Sequence, residues 1–231
     1  MNIKEIEIVE TSQNIYDNFN GFILSKDIKV FGKLLARSLL LDMVKDIPGD
    51  IVECGVFKGT GLLTFLKLKR YLCPNTCKKV IGFDFFNSKN LLEGLIGIDK
   101  EGMSTLFNDR NFKHEENYVE FFSNNIKSMG FKDHEFELVA GDISKTASKF
   151  VSENPGFRIS MLYIDLDLGV PTYDALSAMW DKVVKGGIVV FDEYGFHKWT
   201  ESEGVDKFFK NKNVKLKSLN YICPTAYIVK Q

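Results

Sequence analysis

The sequence predicts an α/β fold, a doubly wound and mostly parallel seven-stranded sheet with helices on both faces. Three observations carry this. Short β-type apolar runs alternate with helical periodicity through the 231 residues, and such βαβ alternation requires right-handed crossovers and a mainly parallel sheet. Two of the runs, 159–165 and 188–192, end in acids. A glycine-bearing turn at 55–61 leads from the first run into a helix.

The elements follow in order. Residues 1–26 read as an irregular lead-in. Residues 27–45 repeat apolar side chains at helical spacing, with Phe31, Leu34, Leu35, Leu39 and Val44 forming much of one face and Asp27 placed as N-cap. Together they form an N-terminal helical lead-in over about 1–48. Pro48-Gly49 stops the helix, and 50–54 is the first strand. After the turn a helix runs to about Tyr71, and 79–84 is the second strand. Residues 85–113 show no clean periodicity, and a loop this long is more often functional than idle, so it is assigned as an acceptor lid. A helix over 115–129, a strand over 135–140 and a helix over 145–153 follow. The fourth strand (159–165), a helix (172–184), the fifth strand (188–192) and a helix (201–210) come next. Closing strands at 214–219 and 226–229 complete seven.

The length suits one domain, 1–231. With 30 basic and 31 acidic residues the net charge is −1, which predicts neither nucleic-acid binding nor attachment to a membrane surface. The amino terminus carries no basic-then-apolar signal, and no apolar run nears the ~20 residues that span a bilayer. Cys54, Cys73, Cys77 and Cys223 lack the spacing of a four-ligand zinc site and read as free thiols, which points to the cytoplasm.

The turn Glu53-Cys54-Gly55-Val56-Phe57-Lys58-Gly59-Thr60-Gly61 stands where a nucleotide-type loop belongs, but it is not G-x-G-x-x-G. A pyrophosphate cofactor wants helix N-terminal amides and no acid beside them. S-adenosylmethionine carries an ammonium and a sulfonium, so Glu53 suits it. Glu53, Gly55, Gly59 and Thr60 are therefore cofactor-binding candidates. Asp84, ending the second strand, is placed to accept from ribose hydroxyls, a feature shared with NAD sites. Asp142 either meets an adenine amino group or caps the next helix.

Asp165, Asp192 and Glu193 end adjacent strands about 5 Å apart. Carboxylates that close repel unless a cation or proton intervenes. An all-oxygen set favours Mg²⁺, Mn²⁺ or Ca²⁺ over zinc, and such a cation orients a hydroxyl and lowers its pKa. Asp167 joins or replaces Asp165 if the strand continues.

These segments resemble the macrocin O-methyltransferase family of metal-dependent sugar methyltransferases. The matching stretches are 49–59, Gly82-Phe83-Asp84, 163–167, Pro171-Thr172-Tyr173-Asp174-Ala175-Leu176 and 186–194. The resemblance implies a class I, Rossmann-like methyltransferase with S-adenosylmethionine as donor, Mg²⁺ as metal and a hydroxyl of a sugar-containing small molecule as acceptor. It places the metal-binding acids on Asp165, Asp192 and Glu193, the last departing from a commoner Asp-Asp-Tyr ending. Phe85-Phe86-Asn87 replaces the usual Thr-Phe-Glu.

Asp165 and His114 are the catalytic candidates, with His197 as rival base. Phe85, Phe86, Tyr194, Phe196 and Trp199 are candidates for a sugar platform, and Arg110 and Lys113 for phosphate contacts. Alternatives are an NAD-dependent oxidoreductase, a metal-dependent hydrolase, or a non-catalytic binding module. The lead-in helix is also a candidate subunit contact in a homo-oligomer.

Overall fold

The computed structural model describes residues 12–112 and 118–231. Its sheet is built from β1 (Asp50–Cys54), β2 (Val80–Asp84), β3 (Phe136–Ala140), β4 (Ile159–Ile164), β5 (Val183–Phe191) and β6 (Ala226–Val229), in the order β3-β2-β1-β4-β5-β6. All pairs are parallel except β5 with β6. The strand order reverses at β1, whose carboxyl end is the crevice where ligands bind in such sheets.

The central strands are apolar on both sides because both faces are covered. Val52 and Cys54 of β1 meet α7 (Ile143–Glu153), α8 (Gly169–Met179) and α9 (Glu201–Phe209) on one face. Ile51 of β1 and Tyr163 of β4 meet α2 (Ile28–Val44), α3 (Thr60–Leu72) and α6 (Tyr118–Ser128) on the other. Ile51, Val52, Leu162 and Val190 are fully buried, each such side chain stabilising the fold by about 1.5–3 kcal/mol. On α3 the buried set is Gly61, Leu62, Phe65, Leu66 and Lys69, a helical stripe that faces this core.

Four expectations are corrected. The sheet has six strands among the described residues: 214–219 makes a single bridge, Lys217 to Tyr227, because beyond it that segment offers β6 no further pairing. The lead-in is not irregular to residue 26, since α1 (Ser12–Leu24) occupies it. Asp27 does cap α2, accepting from the Val30 N–H at 2.8 Å. The face that α2 buries, however, is Gly32, Ala36, Arg37, Leu40, Leu41 and Val44. Phe31, Leu34, Leu35 and Leu39 stay exposed. Residues 85–113 are not a structureless loop: they hold α4 (Ser88–Gly94) and α5 (Gly97–Asp109). These helices bury Met103 and Phe107 with Phe112 and Leu168, and pack against Phe57 and Trp199.

Candidate active site

The β1 turn is drawn tight against its neighbours. Gly55 has φ +93°, and a Cβ there would lie 1.8 Å from the Asp165 carbonyl oxygen, so β1 and the end of β4 approach as only glycine permits. Gly59, also left-handed, is the N-cap of α3, and Thr60 opens that helix at the surface. Asp84 fastens the turn, its Oδ2 accepting from the Val56 and Phe57 N–H groups at 2.8 and 2.9 Å. Its Oδ1 accepts from Phe86 N–H at 2.8 Å. Asp142 caps α7, accepting from Ser144 N–H at 3.1 Å. Beside it a cleft of about 740 Å³ opens at the carboxyl ends of β2 and β3, lined by Phe85, Phe86, Asn87, Tyr118, Ala140 and Gly141.

Glu53 points toward α2 and α3 and is almost completely buried. Its Oε1 lies 3.7 Å from Arg37 Nη2 and presses on Gly61, where a Cβ would come within 1.8 Å. Burial pushes the Glu53 carboxyl up to about 8, with Arg37 opposing. Its second oxygen, Oε2, is buried without a hydrogen-bond partner. An unmet acceptor of this kind suits the ammonium of an amino-acid-bearing donor, so the turn fits S-adenosylmethionine.

The strand ends gather the acids as the topology requires. Asp192, at the end of β5, is fully buried and accepts a 2.6 Å hydrogen bond from Tyr163 Oη on its Oδ1. Its Oδ2 lies 2.7 Å from Lys33 Nζ, which also reaches Asp165 Oδ2 at 3.6 Å. Arg37 is 3.7 Å from the same Asp165 oxygen, and Lys29 is 3.3 Å from Glu193 Oε1. Lys29, Lys33 and Arg37 thus project from α2 at i, i+4 and i+8 into the acid cluster.

Electrostatics separate the acids. Burial and the neighbouring Asp192 carboxylate push Asp165 up to about 6. Burial acts on Asp192 in the same direction, but Lys33 and the hydrogen bonds from Lys33 and Tyr163 hold it below the usual carboxylate range. Burial would lower Lys33, yet Asp165 and Asp192 raise it, so it stays an ammonium. Burial drives Glu201 well above its ordinary range, and its Oε1 accepts from Glu193 N–H at 3.0 Å.

The donor set can hold a divalent cation. Asp165, Asp192 and Glu193 would supply its oxygen ligands, and Glu193 Oε2 is buried without a hydrogen-bond partner. Lys33 Nζ lies against both Asp165 and Asp192, two of the residues that would hold such a cation.

β4 ends at Ile164, so Asp167 is off the strand in a left-handed conformation. His114 and Lys113 lie outside the described residues. His197 is exposed, and Arg110 caps α5, its carbonyl accepting from Lys58 at 3.0 Å. The aromatics divide: Phe85 and Phe86 line the cleft, while Tyr194 donates to Asp206 at 2.8 Å and Trp199 packs on Gly102. Sequence reasoning passed over Lys29, Lys33, Arg37, Tyr163, Glu201 and Cys223. Only the α2 cations left a signal, their one-face spacing.

A family model described as macrocin-O-methyltransferase (TylF) matches residues 39–228. The chain belongs to this family. A curated relative, the 8-demethyl-8-(2,3-dimethoxy-alpha-L-rhamnosyl)-tetracenomycin-C 4'-O-methyltransferase of Streptomyces olivaceus, is 28% identical over 156 residues. That stretch is 64% of this chain and only 54% of the relative. The crystal structure of CalS11, a calicheamicin methyltransferase, superposes with TM-score 0.77 at 26% identity, covering 98% of this chain and 88% of its own. An apo structure of CalS11, described as a TDP-rhamnose 3'-O-methyltransferase, gives TM-score 0.74 at 26% identity over 96% of this chain and 87% of that one. The fold is that of the class I methyltransferases. Within the family match fall the β1 turn and all three acids; Lys29, Lys33 and Arg37 precede it.

Proposed function

We propose that this protein is an S-adenosylmethionine-dependent O-methyltransferase, assisted by a divalent cation such as Mg²⁺, acting on a sugar hydroxyl. The acceptor class is a sugar of a natural product or a nucleotide-linked sugar, as in the names of its relatives. The carrying observation is the meeting of the β1 turn with Asp165, Asp192 and Glu193 at one sheet edge, in a chain of this family. Family membership speaks against the dehydrogenase and hydrolase alternatives.

Methyl transfer is an in-line displacement that needs alignment, a deprotonated acceptor and exclusion of water. In this reading Glu53 Oε2 accepts from the donor's ammonium, and Gly55, Gly59 and Thr60 line the turn around it. Asp84 holds that turn and faces the ribose, while the cleft at Gly141 and Asp142 takes the adenine. Asp165, Asp192 and Glu193 hold the cation, which when bound orients the acceptor hydroxyl and lowers its pKa. Asp165 and His114 are the candidates to take the acceptor proton. α4 and α5, tied to the β5 loop by Thr200 Oγ1 donating to Asp99 at 2.8 Å, form the water-excluding cover. The setting is the cytoplasm, where the four free thiols stay reduced.

Lys33 favours a second reading, in which its ammonium bridges the acids and no metal is needed. Calorimetry with S-adenosylhomocysteine tests both, using NAD as control and Mg²⁺ or a chelator as variable. Binding of the product cofactor but not NAD is expected, with Mg²⁺ binding abolished in Asp192→Ala. Failure of folded protein to bind S-adenosylhomocysteine would remove the methyltransferase reading; methylation undiminished by chelator would select the second.

A further inference from the structure

The antiparallel pairing of β5 with β6 brings a sulfur atom to the acid end. Ala226 lies opposite Phe191, and the Thr225 N–H donates to the carbonyls of Phe191 and Asp192, both at 3.1 Å. Cys223, two residues earlier and fully buried, is thereby fixed beside the acids. Its Sγ lies 3.6 Å from Glu193 Oε1. One ligand atom each from Asp192, Glu193 and Cys223 falls within 4.8 Å of the others, and all three residues are buried.

A second observation points to a ligand there. Glu193 is 5% exposed, and its Oε2 is buried without a hydrogen-bond partner, although Oε1 of the same carboxylate meets both Lys29 and Cys223. Leaving a buried acceptor unmet is costly, and a cation satisfies it.

We propose that Cys223 is a metal ligand, completing with Asp192 and Glu193 a mixed oxygen–sulfur set that takes a borderline divalent cation, Zn²⁺ or Co²⁺, in preference to Mg²⁺. This rests on the metal-assisted reading above and changes the metal it calls for. Mg²⁺ demands oxygen ligands in near-octahedral array, whereas a thiolate selects softer ions. On binding, the S–H bond breaks, its proton passes to buffer, and the sulfur lone pair enters the metal bond.

The test is Co²⁺ titration of the full chain followed by absorption. Wild type is expected to show a near-ultraviolet thiolate-to-cobalt charge-transfer band together with visible ligand-field bands. Zn²⁺ should bleach both, and equimolar Mg²⁺ neither. Cys223→Ser, with Cys223→Ala as a second variant, should lose the charge-transfer band and bind Co²⁺ at least tenfold more weakly. A Cys73→Ser, Cys77→Ser double variant should keep the band. Ligand-field bands without charge transfer in wild type overturn the role of Cys223 and leave an oxygen-only metal site standing; a band that vanishes only in the double variant overturns the role of Cys223 by assigning the thiolate to Cys73 or Cys77. No binding of Co²⁺, Zn²⁺ or Mg²⁺ to folded protein overturns both.

Discussion

At the scale of single residues, the acid cluster is held by its internal cations. Lys33 lies against both Asp165 and Asp192, so an incoming divalent ion must displace it or share their charge. Lys33→Met is therefore expected to tighten Mg²⁺ or Co²⁺ binding about tenfold, roughly 1.4 kcal/mol, as read by calorimetry; an unchanged or weaker affinity would show that the ammonium does not compete. Glu53 gives a complementary case. Burial holds its carboxyl up near 8, so at neutral pH it is largely protonated and glutamine replaces it almost isosterically. Glu53→Gln should leave the melting temperature within about 3 °C. Binding of S-adenosylhomocysteine should weaken about tenfold, because a neutral amide replaces a carboxyl that an ammonium would ionise. Equal affinity in the two proteins would remove Glu53 from the donor site. The carboxylates were legible in the sequence because each ends an apolar strand. Their partners were not, since Lys29, Lys33 and Arg37 read as a solvated face until packing turns that face inward.

At the scale of elements, Arg70 of α3 clamps the segment that leads into β3. Its Nη2 donates to Glu135 Oε2 at 2.6 Å and its Nε to Oε1 at 3.0 Å, and its guanidinium lies 3.9 Å from the Phe131 ring centroid. The hydrogen bond from Arg70 lowers the Glu135 carboxyl from 4.5 to about 2. A carboxyl depressed in the folded state adds stability above its unfolded value and loses it as pH falls through the folded one. Glu135→Gln should thus destabilise the protein at neutral pH and cost progressively less between about pH 4.5 and 2. The full shift corresponds to about 3 kcal/mol, which solvent around the half-exposed Arg70 reduces to about 1–2 kcal/mol. Denaturant melts across that range check it; a pH-independent gap would assign the loss to packing. The parallel strands were readable because strands covered on both faces are continuous apolar runs. α4 and α5 were not, for Gly94 and Gly97 interrupt the periodicity and α5 buries little beyond Met103 and Phe107. Residues 214–219 have a strand's composition but only one bridge, since pairing depends on a partner that sequence does not display.

At the scale of the whole molecule, the lead-in helices present an apolar surface to solvent. Ile15, Tyr16, Phe19 and Ile23 of α1 and Ile28, Phe31, Leu35 and Leu39 of α2 are all exposed, and the Phe22 and Phe31 rings, 6.1 Å apart, join the two helices. Phe31, Leu35 and Leu39 belong to the apolar face that the periodicity of α2 showed, a face the sequence left open between core packing and a subunit contact. Apolar side chains left exposed on two adjoining helices suit an interaction surface. Two copies of this chain meeting through it would bury it symmetrically. Light scattering is expected to give twice the 26.3 kDa chain mass, and the Leu35→Glu, Leu39→Glu variant the single mass. Because α2 also carries Lys29, Lys33 and Arg37 into the acids, association would stiffen the helix that closes the site. Mass action then requires the melting temperature of the wild type to rise with protein concentration and that of the double variant to stay constant. A monomeric wild type at every concentration would leave α2 anchored by Ala36, Leu40, Leu41 and Val44 alone and assign the patch to a different partner.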